Sequence, residues 1–254
     1  MSDRERRAQD VFGRRAPAYV TSRSHSDQSL LSKVVTLARP NQRDRVLDVA
    51  TGTGHTAFAF APYVSEVIGI DITVEMIVEA KRLRTQRGLE NVSLALASAA
   101  HLPFDGEAFH IVTCRRSAHH FSNIRASLRE MNRVLEAGGR LIVDDRSVPE
   151  DDFVDATMNR LDELHDESHV REYRLSEWTN MLIETSFRPE AVSMYSEHRP
   201  LSSLTAQVAP ERVARIQAII EGLNPQQRKA INAVEREGQI FTDHWFVMLS
   251  ATKL

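Results

Sequence analysis

Short apolar runs alternate with helix-like patterns along the first 145 residues of the chain. In the helix-like stretches the apolar residues recur every three or four positions, as at Met76, Ile77, Ala80 and Leu83, and this spacing is typical of an amphipathic helix. Alternation of buried strands with helices predicts a doubly wound, parallel sheet of the α/β class. The five strands of this part are expected at residues 45–50, 66–71, 92–96, 109–114 and 140–144.

Helix signals flank these strands. Residues 1–22 predict a short, loosely docked helix followed by a turn, and Ser26 and Asp27 are suitable N-caps for a helix over 28–38. Thr73 is a suitable N-cap for the helix that follows the second strand. Between the strands we expect helices over 54–63, 74–87 and 123–135.

The pattern changes after residue 146. Longer charged helices replace the regular alternation, and an alternating run at 241–251 predicts a last strand that closes the sheet. The other elements expected in this half are a helix over 150–166, a helix over 177–186 with Ser176 as its cap, a strand near 190–197 and two helices within 202–236. We therefore expect a mostly parallel seven-stranded sheet in one domain over residues 1–254, with a helical insert before the last strand.

Composition narrows the class of protein. Hydrophobic residues make up 42% of the 254 residues, enough for a normal core, and the net charge of -3 gives no electrostatic reason to expect nucleic acid as a partner. One cysteine, Cys114, excludes an internal disulfide and is consistent with a reducing compartment. No apolar run approaches the roughly 18 residues of a membrane span. We expect a cytoplasmic protein without a membrane span that acts on a small molecule, as a monomer or a homodimer.

A glycine-rich turn follows the first strand. Gly52 and Gly54 come directly after the apolar run 46–50, and Asp71 ends the second strand nineteen residues after Gly52. Glycines let the backbone pass close to a ligand, and a carboxylate at the end of the next strand can accept the hydroxyl groups of a ribose. The spacing therefore predicts a ribose-bearing cofactor, although Gly52-x-Gly54-x-x-Ala57 also fits the loose dinucleotide fingerprint.

Asp48 favours one of the two possible cofactors. It lies four residues before Gly52, near the end of the first strand, where a carboxylate suits a cationic ligand better than a pyrophosphate. S-adenosylmethionine carries a sulfonium, an ammonium group and a ribose but no phosphate. Asp48 can serve its amino-acid end, directly or through water, and Asp71 can serve its ribose. The alternative to a protein that binds S-adenosylmethionine is a nicotinamide-dependent oxidoreductase.

Further motifs extend this pattern across residues 46–145. Together they resemble the class I S-adenosylmethionine-dependent methyltransferases, and especially the ubiquinone/menaquinone-biosynthesis C-methyltransferase-like group. The matching segments are 46–54, 69–73 with Met76, 97–104, 109–114, 115–121 and 133–139. The resemblance divides the chain into an N-terminal helical lid (1–40), a cofactor-binding core (41–146) and acceptor-side helices with closing strands (147–254).

The resemblance also implies which residues hold the cofactor. Tyr19 and His25 would close over it from the N-terminal segment. Ser98 stands where the group usually has an acidic residue that accepts a hydrogen bond from the adenine amino group, and its hydroxyl can still accept. The implied cofactor-binding residues are Tyr19, Asp48, Ala50, Gly52, Thr53, Gly54, Asp71, Ile72, Met76, Ser98, Ala99 and Arg115.

A histidine pair follows the fourth strand. His119 and His120 lie just past its carboxyl end, on the edge where doubly wound sheets bind ligands, and Arg115 and Arg116 lie between. A histidine can deprotonate a phenol or a phenol ring carbon near neutral pH, and an arginine can stabilise a phenolate or orient a carboxyl group. Consecutive side chains point apart on an extended loop, so one histidine should face the acceptor, with His120 preferred over His119. Arg115 is alternatively a structural anchor.

Other polar clusters carry less weight. His165 and His169 have the spacing of one helical turn and lie near Asp162 and Asp166, but no third ligand set completes a zinc site, so we expect no metal. Cys114 lies within an apolar strand and is interpreted as a packing residue.

The expected function is transfer of a methyl group from S-adenosylmethionine to a small-molecule acceptor. The group that the chain resembles suggests an aromatic, phenolic or quinone-like ring, methylated on carbon or oxygen with a histidine as base. The alternatives are an NAD(P)-dependent oxidoreductase and a non-catalytic cofactor-binding protein, because one fold supports many functions.

Overall fold

The computed structural model of the chain describes residues 3–254 and is built around one sheet. The strands are β1 (Arg45–Val49), β2 (Glu66–Asp71), β3 (Val92–Leu96), β4 (Phe109–Arg115), β5 (Leu135–Val148), β6 (Tyr173–Arg174), β7 (Phe187–Pro200), β8 (Val234–Arg236) and β9 (Gln239–Lys253). The helices are α1 (Asp3–Val20), α2 (Arg23–Ser26), α3 (Gln28–Ala38), α4 (His55–Phe60), α5 (Val74–Gln86), α6 (Ile124–Val134), α7 (Asp152–His165), α8 (Leu175–Glu184), α9 (Ser202–Thr205), α10 (Pro210–Glu221) and α11 (Pro225–Ala230). Short 3₁₀ turns lie at Ala61–Tyr63 and Ala118–His120.

The main path of the sheet has the spatial order β3-β2-β1-β4-β5-β9-β7. Strands β1 to β5 are parallel, whereas β9 runs antiparallel between β5 and β7. The short strands β6 and β8 pair with β5 and β9 outside this path. The predicted α/β fold with a mostly parallel sheet is therefore confirmed over the part of the chain that the structure describes. The main path has the seven predicted strands, and β6 and β8 bring the sheet to nine.

The central strands are covered on both faces, which explains their nearly unbroken apolar sequences. Leu47 and Val49 of β1 pack on one face with residues of α6 and α8. Val46 packs on the other face with residues of α3, α4 and α5. A third apolar cluster joins α7, α9 and α10 to Val148 at the end of β5. This cluster stands beside the carboxyl ends of the parallel strands, where the site described below lies.

Helix α1 differs from the short, loosely docked helix predicted at 1–22, the first two residues of which lie outside the described residues. It is an 18-residue helix that packs along α5. The Gln9 side chain donates to the carbonyl of Ile72 (2.7 Å), and Arg15 pairs with Asp166 (2.8 Å). The apolar pattern of the sequence did not predict this docking, because polar side chains make much of the contact between α1 and the rest of the protein. Its buried residues are Ala8, Val11 and Ala16.

The second half departs from prediction at several boundaries. The stretch 202–236 holds α9, α10, α11 and strand β8 instead of two helices. The helical run ends at Ala230 because Asn232 takes a left-handed backbone with φ +49°, and β8 then pairs with β9. The N-cap of α8 is Arg174, whereas Ser176 donates its hydroxyl to Glu150. Within the described residues, no helix is both long and apolar enough to cross a membrane.

Candidate active site

The turn after β1 has a backbone that favours glycine. Gly52 has φ +54° and Gly54 has φ +90°, both in the left-handed region. A Cβ atom added at Gly54 would lie 2.4 Å from the Phe58 ring, whereas the nearest atom to a Cβ at Gly52 would be Met76 Sδ at 4.0 Å. Gly54 therefore packs tightly against α4, and Gly52 leaves open space at the ligand-binding edge of the sheet.

Asp48 lies beneath this turn, on the face of β1 that α4 covers. Its Oδ1 accepts a hydrogen bond from Thr113 Oγ1 (2.7 Å), and its Oδ2 accepts from Thr51 Oγ1 (2.6 Å) and from the Ala57 backbone N–H (3.1 Å). Burial raises the pKa of the Asp48 carboxyl to about 6, and these hydrogen bonds limit the rise. The structure thus places Asp48 as a support for the glycine turn, with its oxygens already engaged by the protein.

Asp71, at the end of β2, is held by backbone donors of the ligand-binding edge. Its Oδ2 accepts from the Gly52 backbone N–H (2.9 Å), and its Oδ1 accepts from the Thr73 backbone N–H (2.8 Å). Burial raises the pKa of this carboxyl, and the backbone hydrogen bonds oppose that effect. Thr73 is the N-cap residue of α5, as predicted, but its side chain makes no capping hydrogen bond. The two backbone donors fix the Asp71 carboxylate while leaving it lone pairs for a ligand.

A cleft of about 1040 Å³, counted with its open mouth, lies between the carboxyl ends of β1, β2 and β4 and helix α1. We call it the main cleft. Of the predicted site residues, those that line it are Tyr19, Ala50, Gly52, Thr53, Asp71, Ile72, Met76, Ser98, Ala99, Arg115, Arg116 and His120. The predicted residues Asp48, Gly54 and His119 are outside this lining as far as the described residues define it.

Apart from Tyr19, the residues of α1 that line the main cleft were not predicted from the sequence. Glu5, Ala8 and Phe12 line it together with Tyr19. The Ser98 hydroxyl donates to Glu5 Oε1 at 2.9 Å. A carboxylate therefore stands next to Ser98, and it comes from a residue 93 positions earlier in the chain. No local pattern at Ser98 could have pointed to it.

Arg115 anchors the segment that follows α1. Its Nε donates to Thr56 Oγ1 (3.0 Å), and its Nη2 donates to the His25 carbonyl. The Tyr19 and His25 rings lie 4.6 Å apart. Burial raises the pKa of Tyr19 to about 12, so its hydroxyl stays protonated at neutral pH. Arg115 thus acts from inside the cleft wall to hold Tyr19 and His25 over the cleft.

The 3₁₀ turn after β4 points its two histidines at different partners. His119 Nδ1 lies 2.5 Å from Oδ1 of Asp145, and its backbone N–H donates to Oδ2 of the same carboxylate (3.1 Å). His120 Nδ1 lies 3.0 Å from Ser168 Oγ. Burial and the neighbouring His119 lower the pKa of His120 to about 3, so His120 is neutral at physiological pH. The ring centroids of the two histidines are 3.9 Å apart.

A second cavity of about 710 Å³ adjoins the main cleft beneath α7 and α9. We call it the histidine chamber. It shares Tyr19, His25, Arg116 and His120 with the main cleft, so the two cavities meet at these four side chains. The rest of its wall is Arg15, Ser24, His119, Arg146, Asp162, His165, Asp166, His169, Arg199, Ser203, Leu204 and His244.

His165 and His169 belong to the histidine chamber but are not one helical turn apart, because α7 ends at His165. His165 Nδ1 contacts the Leu204 carbonyl (3.0 Å), and His169 Nε2 contacts Asn159 Oδ1 (3.1 Å). The described residues contain no group of three or more His, Cys, Asp or Glu that could hold a metal ion. Cys114 is buried within β4.

Comparison with known proteins identifies the family. A family model described as a methyltransferase domain matches residues 40–199. The chain is 42% identical over 170 residues to the uncharacterized methyltransferase YcgJ of Bacillus subtilis (strain 168), and the match covers 67% of each chain. It is 32% identical over 157 residues to the ubiquinone/menaquinone biosynthesis C-methyltransferase UbiE of Geobacter sp. (strain M21), covering 59% of this chain and 67% of that one. The crystal structure of the YcgJ protein aligns with a TM-score of 0.83 at 33% identity, covering 88% of this chain and 97% of that one.

Sequence, fold and site agree with these comparisons. The family match spans the glycine turn, Asp71, Ser98 and the histidine pair. The structural match covers most of the chain. The chain therefore belongs to the methyltransferase-domain family, and it is a class I S-adenosylmethionine-dependent methyltransferase.

Proposed function

We propose that S-adenosylmethionine binds in the main cleft with its ribose on Asp71. The Asp71 carboxylate, fixed by the backbone N–H groups of Gly52 and Thr73, suits the two ribose hydroxyls. Thr73 Oγ1, a buried atom of a cleft residue, has no hydrogen-bond partner among the described residues. Buried polar atoms are seldom left unpaired, so a polar ligand in the cleft would account for this one. Arg115 Nη1 instead lies 3.5 Å from Asp144 Oδ2.

The adenine lies, in this proposal, between Ser98 and α1. Ala99 and Ile72 offer apolar contact to its ring, and the Glu5 carboxylate beside Ser98 offers the acceptor that its amino group needs. The amino-acid end then lies along the glycine turn, near Ala50 and Tyr19. Asp48 supports that end indirectly, through the turn it stabilises.

The acceptor enters the histidine chamber, and the observation that carries this proposal is the meeting of the two cavities at Tyr19, His25, Arg116 and His120. When bound, S-adenosylmethionine supplies a methyl group on a sulfonium, a good leaving group that an aligned nucleophile displaces in line. The protein must therefore align the acceptor and exclude water. The partly buried rings of Tyr19, His25 and His120 at the junction serve both purposes.

His119 is the general base in this proposal, with His120 as its packing partner. Asp145 holds His119 through both Nδ1 and the backbone N–H, which leaves Nε2 to take a proton from the acceptor. His120 is a poor base because burial and His119 lower its pKa to about 3. The sequence pattern predicts His120 as the base instead. Arg116 pairs with Asp144 (3.2 Å) and lies beside the junction, where it can stabilise a phenolate.

An aromatic or quinone-like ring is the proposed acceptor. Phe12 meets the His120 ring edge-on with centroids 4.8 Å apart, and Tyr19 lies 6.0 Å from Phe12. These rings favour a flat apolar acceptor at the junction. The relative named for ubiquinone/menaquinone biosynthesis supports the same class.

Calorimetric titration with S-adenosylhomocysteine, followed by mass spectrometry of phenolic and quinol acceptors incubated with S-adenosylmethionine, tests the proposal. We expect saturable binding that Asp71→Asn weakens about 10- to 100-fold, because one amide N–H group would face the backbone donors of Gly52 and Thr73. Glu79→Gln, at a partly buried residue of α5 that pairs with Arg82 and lies outside the main-cleft lining, is the matched control. Binding of NADH instead of S-adenosylhomocysteine would overturn the cofactor assignment, and methylation of aliphatic amines alone would overturn the acceptor class.

A further inference from the structure

Three arginines that line the histidine chamber surround one buried phenyl ring. The guanidinium carbons of Arg116, Arg199 and Arg146 lie 3.7 Å, 5.2 Å and 5.4 Å from the centre of the Phe246 ring. All three arginines line the chamber, and Arg15 adds a fourth guanidinium from α1. We call Arg116, Arg146 and Arg199 the arginine cluster.

The arginines of the cluster differ in how far neighbouring carboxylates neutralise them. Arg146 is fully engaged, with Asp162, Glu172 and His244 as partners. Arg116 and Arg199 share Glu197, which is 3.6 Å from Arg116 and has a side chain that is 33% exposed. A half-exposed carboxylate shared between two cations neutralises each of them only in part.

Arg199 is the least compensated member of the cluster. Its Nε and Nη2 both donate to the same oxygen of Glu197, whereas Arg116 has Asp144 as a further partner. Burial together with repulsion from Arg146 and Arg116 lowers the pKa of Arg199 despite its pairing with Glu197. A negative charge inside the chamber would relieve this repulsion.

A second observation points to a ligand on the same wall. Ser203, at the start of α9, lines the chamber and its buried Oγ has no hydrogen-bond partner among the described residues. A hydroxyl donor beside guanidinium groups is suited to an oxyanion. Asp162 and Asp166 also line the chamber and would repel a doubly charged phosphate, so a singly charged carboxylate fits the wall better.

We propose that the arginine cluster, with Ser203, is the subsite for a carboxylate group on the methyl acceptor. The acceptor would then be an aromatic carboxylic acid whose carboxylate anchors it at Arg199 while its reacting atom reaches the junction with the main cleft. This proposal rests on the proposed function, since it assigns a carboxylate group to the aromatic acceptor proposed above.

The test compares benzoate with benzamide, which have nearly the same shape and differ in charge. Each is titrated into the full-length protein, with and without S-adenosylhomocysteine, while histidine imidazole signals of the chamber are followed by NMR. We expect benzoate to bind about tenfold or more tightly than benzamide, because one charged hydrogen-bonding pair is worth about 1.4 kcal/mol or more. Inorganic phosphate is titrated in parallel and should bind more weakly than benzoate.

Substitutions test whether the preference for benzoate depends on the arginine cluster. Arg199→Gln should remove the preference for benzoate, and Arg188→Gln should leave it unchanged, because Arg188 is an exposed residue of the same strand that pairs with Glu190. If Arg199→Gln fails to fold, Ser203→Asp places a carboxylate at the subsite and should abolish benzoate binding. Equal affinities for the two probes, tighter binding of phosphate, or a preference that survives in Arg199→Gln and Ser203→Asp would overturn the proposal. Failure of S-adenosylhomocysteine to bind would count against the proposed function alone, since the probe comparison is also made without it.

Discussion

His119 is held by Asp145 through two atoms of the same residue, its ring Nδ1 at 2.5 Å and its backbone N–H at 3.1 Å. Asp145 is buried in β5, and although burial opposes its ionisation, the charge and hydrogen bond of His119 keep the pKa of the carboxyl below its usual value. A fixed carboxylate therefore sets both the position and the tautomer of the His119 ring. This is the arrangement that a general base needs.

His119→Asn should retain the contact to Asp145 and lose the base. We expect turnover of a phenolic acceptor to fall about 100-fold or more while the affinity for S-adenosylhomocysteine stays the same, because proton transfer is removed and the main cleft is untouched. Steady-state kinetics and calorimetry measure the two effects separately. His110→Asn, at the other end of β4, is the control. If His120→Asn loses activity and His119→Asn keeps it, the base is His120.

Glu5→Gln should weaken the binding of S-adenosylhomocysteine by about tenfold or more, because a charged acceptor for the adenine amino group becomes a neutral amide. The analogue whose adenine amino group is replaced by a carbonyl should gain relative to S-adenosylhomocysteine in this variant. Calorimetric titration of both ligands gives the ratio. An unchanged ratio would remove Glu5 from the adenine site, and Glu79→Gln controls for the loss of a carboxylate elsewhere.

Stability should decrease as the pH falls below about 6.5, the ordinary histidine value. The pKa of His120 is lowered to about 3 and that of His169 to about 4, both mainly by burial. The folded state therefore binds these protons less readily than the unfolded state, and each histidine costs up to about 1.4 kcal/mol per pH unit between its unfolded and folded pKa. Urea unfolding at several pH values measures the slope. His120→Asn should flatten it, and an unaltered slope would contradict the assignment.

Gly54→Ala should destabilise the fold by about 3 kcal/mol, because it combines a left-handed backbone with a Cβ placed 2.4 Å from the Phe58 ring. Gly88→Ala is the matched control, since Gly88 also has a positive φ of +63° but nothing within 4 Å of the added atom. That variant should lose about 1 kcal/mol. Equal losses in urea unfolding would show that Phe58 moves aside freely.

The parts that could be predicted from the sequence depend on neighbouring residues. The apolar run of β1, the glycine turn and Asp71 lie within 27 residues of one another, from Arg45 to Asp71. Asp27 caps α3 through the N–H groups of Ser29 and Leu30, as its position before the helix predicts. Features of this kind can be predicted because each depends on the residues of a single strand, turn or cap.

Contacts between segments that are distant in the sequence could not be predicted from local sequence patterns. Glu5 reaches Ser98 across 93 residues, and Arg199 meets Phe246 only because β7 pairs with β9. The orientation of Asp48 could not be predicted either, because two of the donors that fix its carboxylate, Thr113 and Ala57, come from β4 and α4. The histidine pair was visible in the sequence, but Asp145, which distinguishes His119 from His120, lies on the next strand.

Helix α1 forms part of the wall of both cavities, with Glu5 and Phe12 in the main cleft, Arg15 in the histidine chamber and Tyr19 in both. Its polar attachments to the rest of the protein, among them Gln9 to the Ile72 carbonyl and Arg15 to Asp166, all lie on this one helix. A change that displaces α1 would therefore alter the walls of both cavities at once.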